Sequence, residues 1–356
     1  MNYIGSKLSL LDFLYTSISS VVGEENYTFS DLFAGTGMVG RFWKEKGHKV
    51  WANDLQYYSY ALNRNYIGNH LDLYFSGLIS DIPELLTASV QETKKIVLSH
   101  LQKLKVKNGF IFKNYCIWGT AGGDFERQYF SDENGQKCDA IRTQIENWKK
   151  ENKITEDEYF FLLASLLEAI DKVANTASVY GAFLKKLKKS AQKPLELKPA
   201  TYHLNDHPHI VTNDDVNLLV KNSKHDVVYL DPPYNHRQYS GNYHILETIA
   251  RYDSPEIKGK TGMRDCREQR SDYCSRTNVK KAYTELVNNI DAKYIFLSYN
   301  DEGLMSIDDI RDIMSQRGEY GVFQKEYQRF KADKTENRNH KQEKVIEYLH
   351  YVKIKN

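Results

Sequence analysis

Asp226-Val227-Val228-Tyr229-Leu230-Asp231-Pro232-Pro233-Tyr234 is the stretch on which the fold of this chain turns. Residues 226–230 make a short apolar run that reads as a buried parallel strand. Two successive prolines offer no N–H and hold φ fixed, so the strand must stop and a stiff turn must follow. That turn keeps a carboxylate, a backbone carbonyl and a phenol ring in constant relation. Ligands of open α/β sheets bind beyond the carboxyl ends of the strands, so the corner lies where chemistry is expected. Asp231 and the Pro232 carbonyl are both acceptors, which suits a substrate presenting an NH2 group. Tyr234 offers a flat face for a planar base. An aromatic amine held between the two acceptors turns its lone pair away from them, towards an electrophile. The plainer alternative is a strand and a proline turn, with Asp231 as a cap and Tyr234 as packing; the strand context favours chemistry.

Upstream, Tyr27 to Phe33 reads as a strand, Ala34-Gly35-Thr36-Gly37-Met38-Val39-Gly40 as a turn, and the residues through Trp43 and Lys46 as a helix that Gly47 ends. His48 to Ala52 is a second strand with Asn53-Asp54 at its carboxyl end. Strand, glycine turn, helix, strand and acid make a nucleotide-binding half-fold, in which Asp54 is placed to accept both hydroxyls of a ribose. Gly35, Gly37 and Gly40 also satisfy the dinucleotide fingerprint, so an NAD-dependent oxidoreductase is one alternative. Asp31 argues against it. An acid just ahead of the turn would repel a pyrophosphate, whereas it suits the amino and sulfonium groups of S-adenosylmethionine.

The 356 residues, 41% hydrophobic and 27% charged, fit one large globular domain with an insertion. A net charge of +2 does not itself indicate nucleic acid, so any basic surface must be local. No apolar run reaches membrane-spanning length, and Met1 to Lys7 lacks the order of a signal peptide. Cys116, Cys138, Cys266 and Cys274 form no C-x-x-C pair and read as reduced thiols of a cytoplasmic protein, not as a metal site.

Between about residues 66 and 205 the strand alternation disappears. Asp81 to Val106 reads as one long helix begun by Asp81 and Pro83. Gly109 to Tyr129 is aromatic and irregular, and Asp139 to Lys150 is a short helix. Thr155-x-x-Glu158 is a capping box opening a helix through Ile170. A lysine run from Lys185 to Lys198 reads equally well as a solvated face or a nucleic-acid contact. The α/β pattern resumes with a strand at His209 to Val211 and Asn213-Asp214-Asp215 behind it, of which Asp215 is the choice for reading an adenine amino group. Asn242 to Tyr252 reads as a helix. Ser254 to Lys281 concentrates Arg264, Arg267 and Arg270 near Tyr273, and arginine suits phosphates and guanine edges. Strands follow at Tyr294 to Tyr299, Gly321 to Phe330 and Lys344 to Ile354, with a helix at Ser306 to Ser315. The last two strands flank a polar loop, Lys331 to Lys341. At the other end, Tyr3-Ile4-Gly5-Ser6-Lys7 precedes a helix whose apolar face carries Leu8, Leu11, Leu14 and Ile18. Taken alone, a Gly-Ser-Lys turn is a common helix start.

With these pieces in place, the chain resembles the S-adenosylmethionine-dependent adenine-N6 DNA methyltransferases, most of all the Dam-like group and the FokI-type methylases of type II restriction systems. The motifs that carry the resemblance are Tyr3 to Lys7, Asp31-Leu32-Phe33-Ala34-Gly35-Thr36-Gly37 and Asp231 to Tyr234, in the family's α order. Asn235-His236-Arg237-Gln238-Tyr239 adds a likeness to the restriction-system members. Tyr3 stands where some members carry tryptophan. The resemblance implies an α/β, Rossmann-like methyltransferase fold: a mostly parallel sheet closed by an antiparallel C-terminal hairpin. Residues 1–65 and 206–356 would form the catalytic domain and 66–205 an inserted, mainly helical target-recognition domain. It implies a cofactor site of Tyr3, Ile4, Gly5, Ser6, Lys7, Asp31, Phe33, Ala34, Gly35, Gly37, Asp54, Leu55 and Asp215. Catalysis would fall to Asp231, Pro232, Pro233 and Tyr234, without a metal. DNA contacts are expected from Asn235, Arg237, Tyr239, Arg264, Arg267, Arg270 and Lys331. The implied substrate is a flipped adenine in double-stranded DNA, with RNA as a variant, and a cognate restriction endonuclease as a companion of a monomeric enzyme. A non-catalytic DNA-binding relic is a further alternative, which the intact motifs disfavour.

Overall fold

The computed structural model describes residues 5–23, 26–328 and 344–355. The chain divides into two compact units. One comprises the described residues of Gly5–Tyr60, His207–Tyr239 and Glu268–Asn356; the other comprises Ala61–Asp206 and Ser240–Arg267.

The first unit is built on a seven-stranded sheet. Its strands are β1 (Thr28–Asp31), β2 (Lys49–Asn53), β3 (Ile210–Thr212), β4 (Lys224–Leu230), β5 (Asp291–Asn300), β6 (Gly318–Gln328) and β7 (Lys344–Ile354). They lie in the order β3-β2-β1-β4-β5-β7-β6. The first five run parallel, and β7 pairs antiparallel with both β5 and β6. This is the mostly parallel sheet with an antiparallel closing hairpin that the sequence leads one to expect.

Val227, Val228, Tyr229 and Leu230 are all fully buried, as a central parallel strand covered on both faces requires. Alternation sends Val228 and Leu230 into a cluster with Ile295, Leu297, Val279, Tyr283, Ile310 and Met314, so the helices Val279–Asn289 and Ile307–Ser315 cover that face. On the opposite face Phe29 stacks on Trp43 at 4.1 Å and lies 5.9 Å from Tyr229. Tyr15 meets Trp43 edge-on at 5.6 Å, which brings helix Leu11–Val22 against helix Met38–Glu45. Leu11, Leu14 and Ile18 are buried as expected, but Leu8 is 63% exposed. Leu8–Leu10 forms a 3-10 turn ahead of the α-helix, and its tighter pitch rotates Leu8 off the apolar stripe and places Leu10 there.

The second unit is mainly helical and centres on Asp132–Lys150 and Glu156–Lys172. Thr155 and Glu158 form the expected capping box. The preceding helix begins seven residues earlier than expected, at Asp132 rather than Asp139, with the Ser131 hydroxyl accepting from Asn134 N. Gly135 hid this start. It is there because a Cβ would lie 2.2 Å from Cys116 Sγ, so the close approach of the two segments demands glycine. The expected helix from Asp81 to Val106 is two elements, a 3-10 turn Pro83–Leu86 and a helix Val90–Lys103 with its own capping box from Ser89 and Glu92. Part of the aromatic stretch is helical, at Phe110–Tyr115, where the Asp139 carboxylate accepts from Ile111 N and Phe112 N.

Ser240–Arg267, grouped by sequence with the α/β part, packs within the helical unit. The fully buried Arg142 is one reason, beside Tyr115, Arg127 and Asp139, which bond Gly262, Gly259 and Tyr252. Arg142 donates to the carbonyls of Ile249 and Ala250 at 2.8 Å, ending helix His244–Arg251, and also binds Glu146 and Tyr159. A two-stranded ribbon, Ile257–Lys258 with Met263–Arg264, follows. All four cysteines are free thiols. Among the described residues no helix is long and apolar enough to cross a membrane.

Candidate active site

Adjacent strands bring the two sequence motifs together. β1 and β4 are neighbours, with Asp31 in register with Tyr229, and Leu32 N donates to the Tyr229 carbonyl at 3.1 Å. The glycine turn after β1 and the proline corner after β4 therefore leave the sheet side by side, at its carboxyl edge.

In the glycine turn, Gly35 and Gly37 adopt φ +51° and +74°, values that L residues resist, and Gly37 caps helix Met38–Glu45. The turn is fastened to the end of β2. Gly35 N donates to Asp54 Oδ2 at 2.8 Å, Gln56 N donates to Asp54 Oδ1 at 2.8 Å, and Ala34 N donates to the Asn53 carbonyl. The Asn53 side chain locks the next strand end, donating to the carbonyls of Leu32 and Asp214 and accepting from Thr212 Oγ1 and Asp214 N. Asp54 thus stands at the glycine turn as expected, with Leu55 half-buried beside it. Phe33 meets Tyr273 edge-on at 5.1 Å.

Asp31 is 1% exposed, and its Oδ1 has no hydrogen-bond partner among the described residues. Burial, then the charges of Asp231 and Asp54, hold its carboxyl well above the usual carboxylate range, despite backbone hydrogen bonds from Gly40 and Phe33. A buried acid with an orphaned oxygen between two other acids fits a cationic ligand, and the amino and sulfonium groups of S-adenosylmethionine have that character.

At the proline corner, four side chains converge. Lys7 Nζ lies 3.2 Å from Asp231 Oδ1, 2.5 Å from Glu347 Oε1 and 2.5 Å from the Tyr234 hydroxyl. The Tyr234 hydroxyl lies 2.5 Å from Asp231 Oδ1 and 3.0 Å from Glu347 Oε1. Burial pushes the Asp231 carboxyl up to about 6; Lys7 opposes that rise and Glu347 adds to it. The Tyr234 phenol is held far above its ordinary value by burial and by Asp231 and Glu347. The Tyr234 ring lies 4.9 Å from Tyr299, and the Lys7 ammonium sits at its hydroxyl end, 4.7 Å from the centroid.

Lys7, expected at the cofactor, therefore touches Asp231 and Tyr234 of the proline corner, Tyr234 being reached across 227 residues of sequence. Glu347 was missed. Its signal is faint but present: along β7 it is in phase with buried Val345 and Leu349, so an acid occupies an inward-facing position.

Other expected residues fall outside this cluster. Asp215 is exposed and caps the short helix Val216–Leu219, its Oδ1 accepting from Asn217 N and Leu218 N. Gly5 has φ +80° and Ser6 is exposed. Asn235 and Arg237 are exposed, with Asn235 Oδ1 accepting from Arg237 N, and Tyr239 is half-buried. Arg264 makes a two-point pair with Asp253, its side chain 10% exposed, while Arg267 pairs with Asp265 on the surface. Arg270 is exposed. Tyr3, Ile4 and Lys331 lie outside the described residues. Among the described residues no cluster of histidine, cysteine and acid side chains suits a metal ion.

A family model for the D12 class N6 adenine-specific DNA methyltransferases matches residues 3–313. The chain belongs to that family. The methyltransferase is 52% identical over 352 residues to the type II methyltransferase M.NlaIII of Neisseria lactamica, covering 98% of each chain. It is 35% identical to M.CviAII of Paramecium bursaria Chlorella virus 1, covering 99% of this chain and 98% of that one. To M.FokI of Planomicrobium okeanokoites it is 37% identical, where it spans 52% of the longer protein. Membership sets aside the oxidoreductase reading of the glycine turn.

Proposed function

We propose that this family member transfers a methyl group from S-adenosylmethionine to N6 of an adenine flipped out of double-stranded DNA, within a type II restriction-modification system. The observation that carries the reading is the pairing of two sites at neighbouring strand ends. One is an acid-lined glycine turn with an orphaned carboxylate oxygen; the other is a rigid corner presenting Asp231 and the Pro232 carbonyl. S-adenosylmethionine would supply the methyl group already activated on a sulfonium.

The residues of this chain then have distinct tasks. Gly35 and Gly37 let the backbone come close to the ligand, and Asp31 faces its positive end. Asp54 faces the ribose, with Phe33, Ala34 and Leu55 beside it. Asp215 is the candidate for the adenine end, and Gly5, Ser6 and Lys7 complete the wall. Asp231 and the Pro232 carbonyl accept the two hydrogens of the target amine and stabilise the positive charge that grows on its nitrogen. Pro233 stiffens the corner. Tyr234 stacks on the extruded base. A base within a duplex cannot reach this corner, which is why extrusion is part of the proposal. The helical unit, with its lysine run and the ribbon at residues 257–264, is the candidate for target recognition. Exposed Asn235, Arg237 and Arg270 are candidates for backbone contacts.

The relatives named as type II methyltransferases support the restriction-modification setting. Methylation-sensitive sequencing of plasmid DNA from cells expressing the chain tests the reading. One modified adenine in a fixed short sequence is expected; unmodified plasmid overturns it.

A further inference from the structure

Glu347 is a buried carboxylate in the middle of β7, flanked in register by Asn300 of β5 and Lys325 of β6, and its side chain is fully buried. Its inward-facing strand neighbours Val345 and Leu349 are apolar, so nothing in the fold demands an acid there. Burying one is costly unless it is paired, and here Oε2 has no partner among the described residues. What Oε1 does is therefore the question. It accepts from the Lys7 ammonium at 2.5 Å and from the Tyr234 hydroxyl at 3.0 Å. Asp231 Oδ1 faces the same two donors, at 3.2 Å and 2.5 Å. The two carboxylate oxygens thus compete for the single Tyr234 hydroxyl proton and share the ammonium, which lies nearer Glu347. An Asp231 clamped by both donors has that oxygen closed to a substrate amine.

We propose that Glu347 is a positioning residue for methyl transfer: it draws the Lys7 ammonium and the Tyr234 hydroxyl off Asp231, leaving the Asp231 carboxylate to the incoming amine. The inference rests on the assignment of Asp231 as the amine acceptor made above. The Lys7–Glu347 contact is already the shorter of the two that Lys7 makes to an acid, so the alternative resting place for the cation is built into the sheet. The charged and titratable groups facing Asp231 are Lys7 from the N-terminal segment, Glu347 from β7, Tyr234 on its own turn, Tyr229 on β4 and Asp31 on β1. Glu347 raises the Asp231 carboxyl and Lys7 lowers it. Replacing Glu347 with a neutral group removes the first influence and hands Lys7 more fully to Asp231, so both changes move Asp231 towards ionisation at lower pH.

The test uses the full chain, tritiated S-adenosylmethionine and a duplex carrying the mapped site. Single-turnover rates are measured against pH for wild type, Glu347→Gln, Lys7→Met and the double variant. Gln keeps an acceptor but loses the charge, so Glu347→Gln should lose roughly tenfold in plateau rate, with its acid limb moved to lower pH. The double variant, with neither the cation nor its resting place, should lose no more than Lys7→Met alone. A wild-type plateau in Glu347→Gln, an unmoved limb, or losses that multiply in the double variant each overturn the proposal. Should Glu347→Gln not fold, Glu347→Asp keeps the charge and withdraws the oxygen by one carbon; a wild-type rate there overturns it equally. Wild-type chain that transfers no methyl group would instead overturn the assignment of Asp231 beneath it.

Discussion

Lowering the pH should switch this enzyme off without unfolding it, and the two effects separate because Asp231 acts on them in opposite directions. Its carboxyl is pushed up to about 6, first by burial, with Glu347 adding to and Lys7 opposing the rise. Between pH 7 and pH 5 the ionised fraction of such a group falls about tenfold, and kcat/KM, which reports the free enzyme, should fall with it. Asp31 is likewise held well above the carboxylate range, by burial and then by Asp231 and Asp54. In kcat the limb should sit lower, because a bound cation favours the ionised acids. Stability follows the other sign. A carboxyl raised in the folded state costs stability above its folded value, and that cost disappears below the unfolded value near 4. From pH 7 to pH 5 these two groups therefore make the fold more stable while activity is lost. The assay is tritiated methyl transfer at constant ionic strength, run beside thermal unfolding at each pH. A flat kcat/KM from pH 7 to pH 5, or a loss of rate that merely follows unfolding, would refute the reasoning.

Four substitutions probe the fold and the ligand contacts. Arg142→Met removes a fully buried guanidinium from Glu146, Tyr159 and the carbonyls of Ile249 and Ala250, and should cost about 3–5 kcal/mol in denaturant unfolding; a loss below about 1 kcal/mol would contradict the role assigned to it. Gly37→Ala puts a side chain at φ +74°, costing about 1–2 kcal/mol, and should weaken S-adenosylmethionine binding in calorimetry; unchanged affinity would count against the glycine turn. Arg270→Ala should weaken DNA binding equally on all sequences and reduce the salt slope by about one counterion, whereas Arg264→Ala, whose guanidinium is committed to Asp253, should leave that slope unchanged. Equal slopes for the two variants would remove the distinction.

What could be read from the sequence is what local chemistry dictates. Two prolines must end β4, glycines must make the turn after β1, and Thr155 with Glu158 must open a helix, whatever surrounds them. Strand and helix ends drifted because polar residues continue ladders whose direction is set by neighbours: β5 extends back to Asp291 and β6 to Gly318. Asp81 and Pro83 read as a helix start, yet the capping box at Ser89 began a new helix behind them. The bonds from Arg142 to Ile249 and Ala250 were out of reach because backbone carbonyls carry no sequence signature. Those carbonyls help tie Ser240–Arg267 to the helical unit. Glu347 was hidden for a related reason. An acid in an apolar strand acquires meaning only when its register faces Lys7, and that pairing spans 340 residues.

The central claim is that Asp231 holds the target amine, and the direct measurement is tritiated methyl transfer by Asp231→Ala. Turnover should fall by roughly 10^2–10^3-fold or more, with circular dichroism and thermal unfolding showing an intact fold. Turnover near the wild-type rate in a folded Asp231→Ala protein would contradict it.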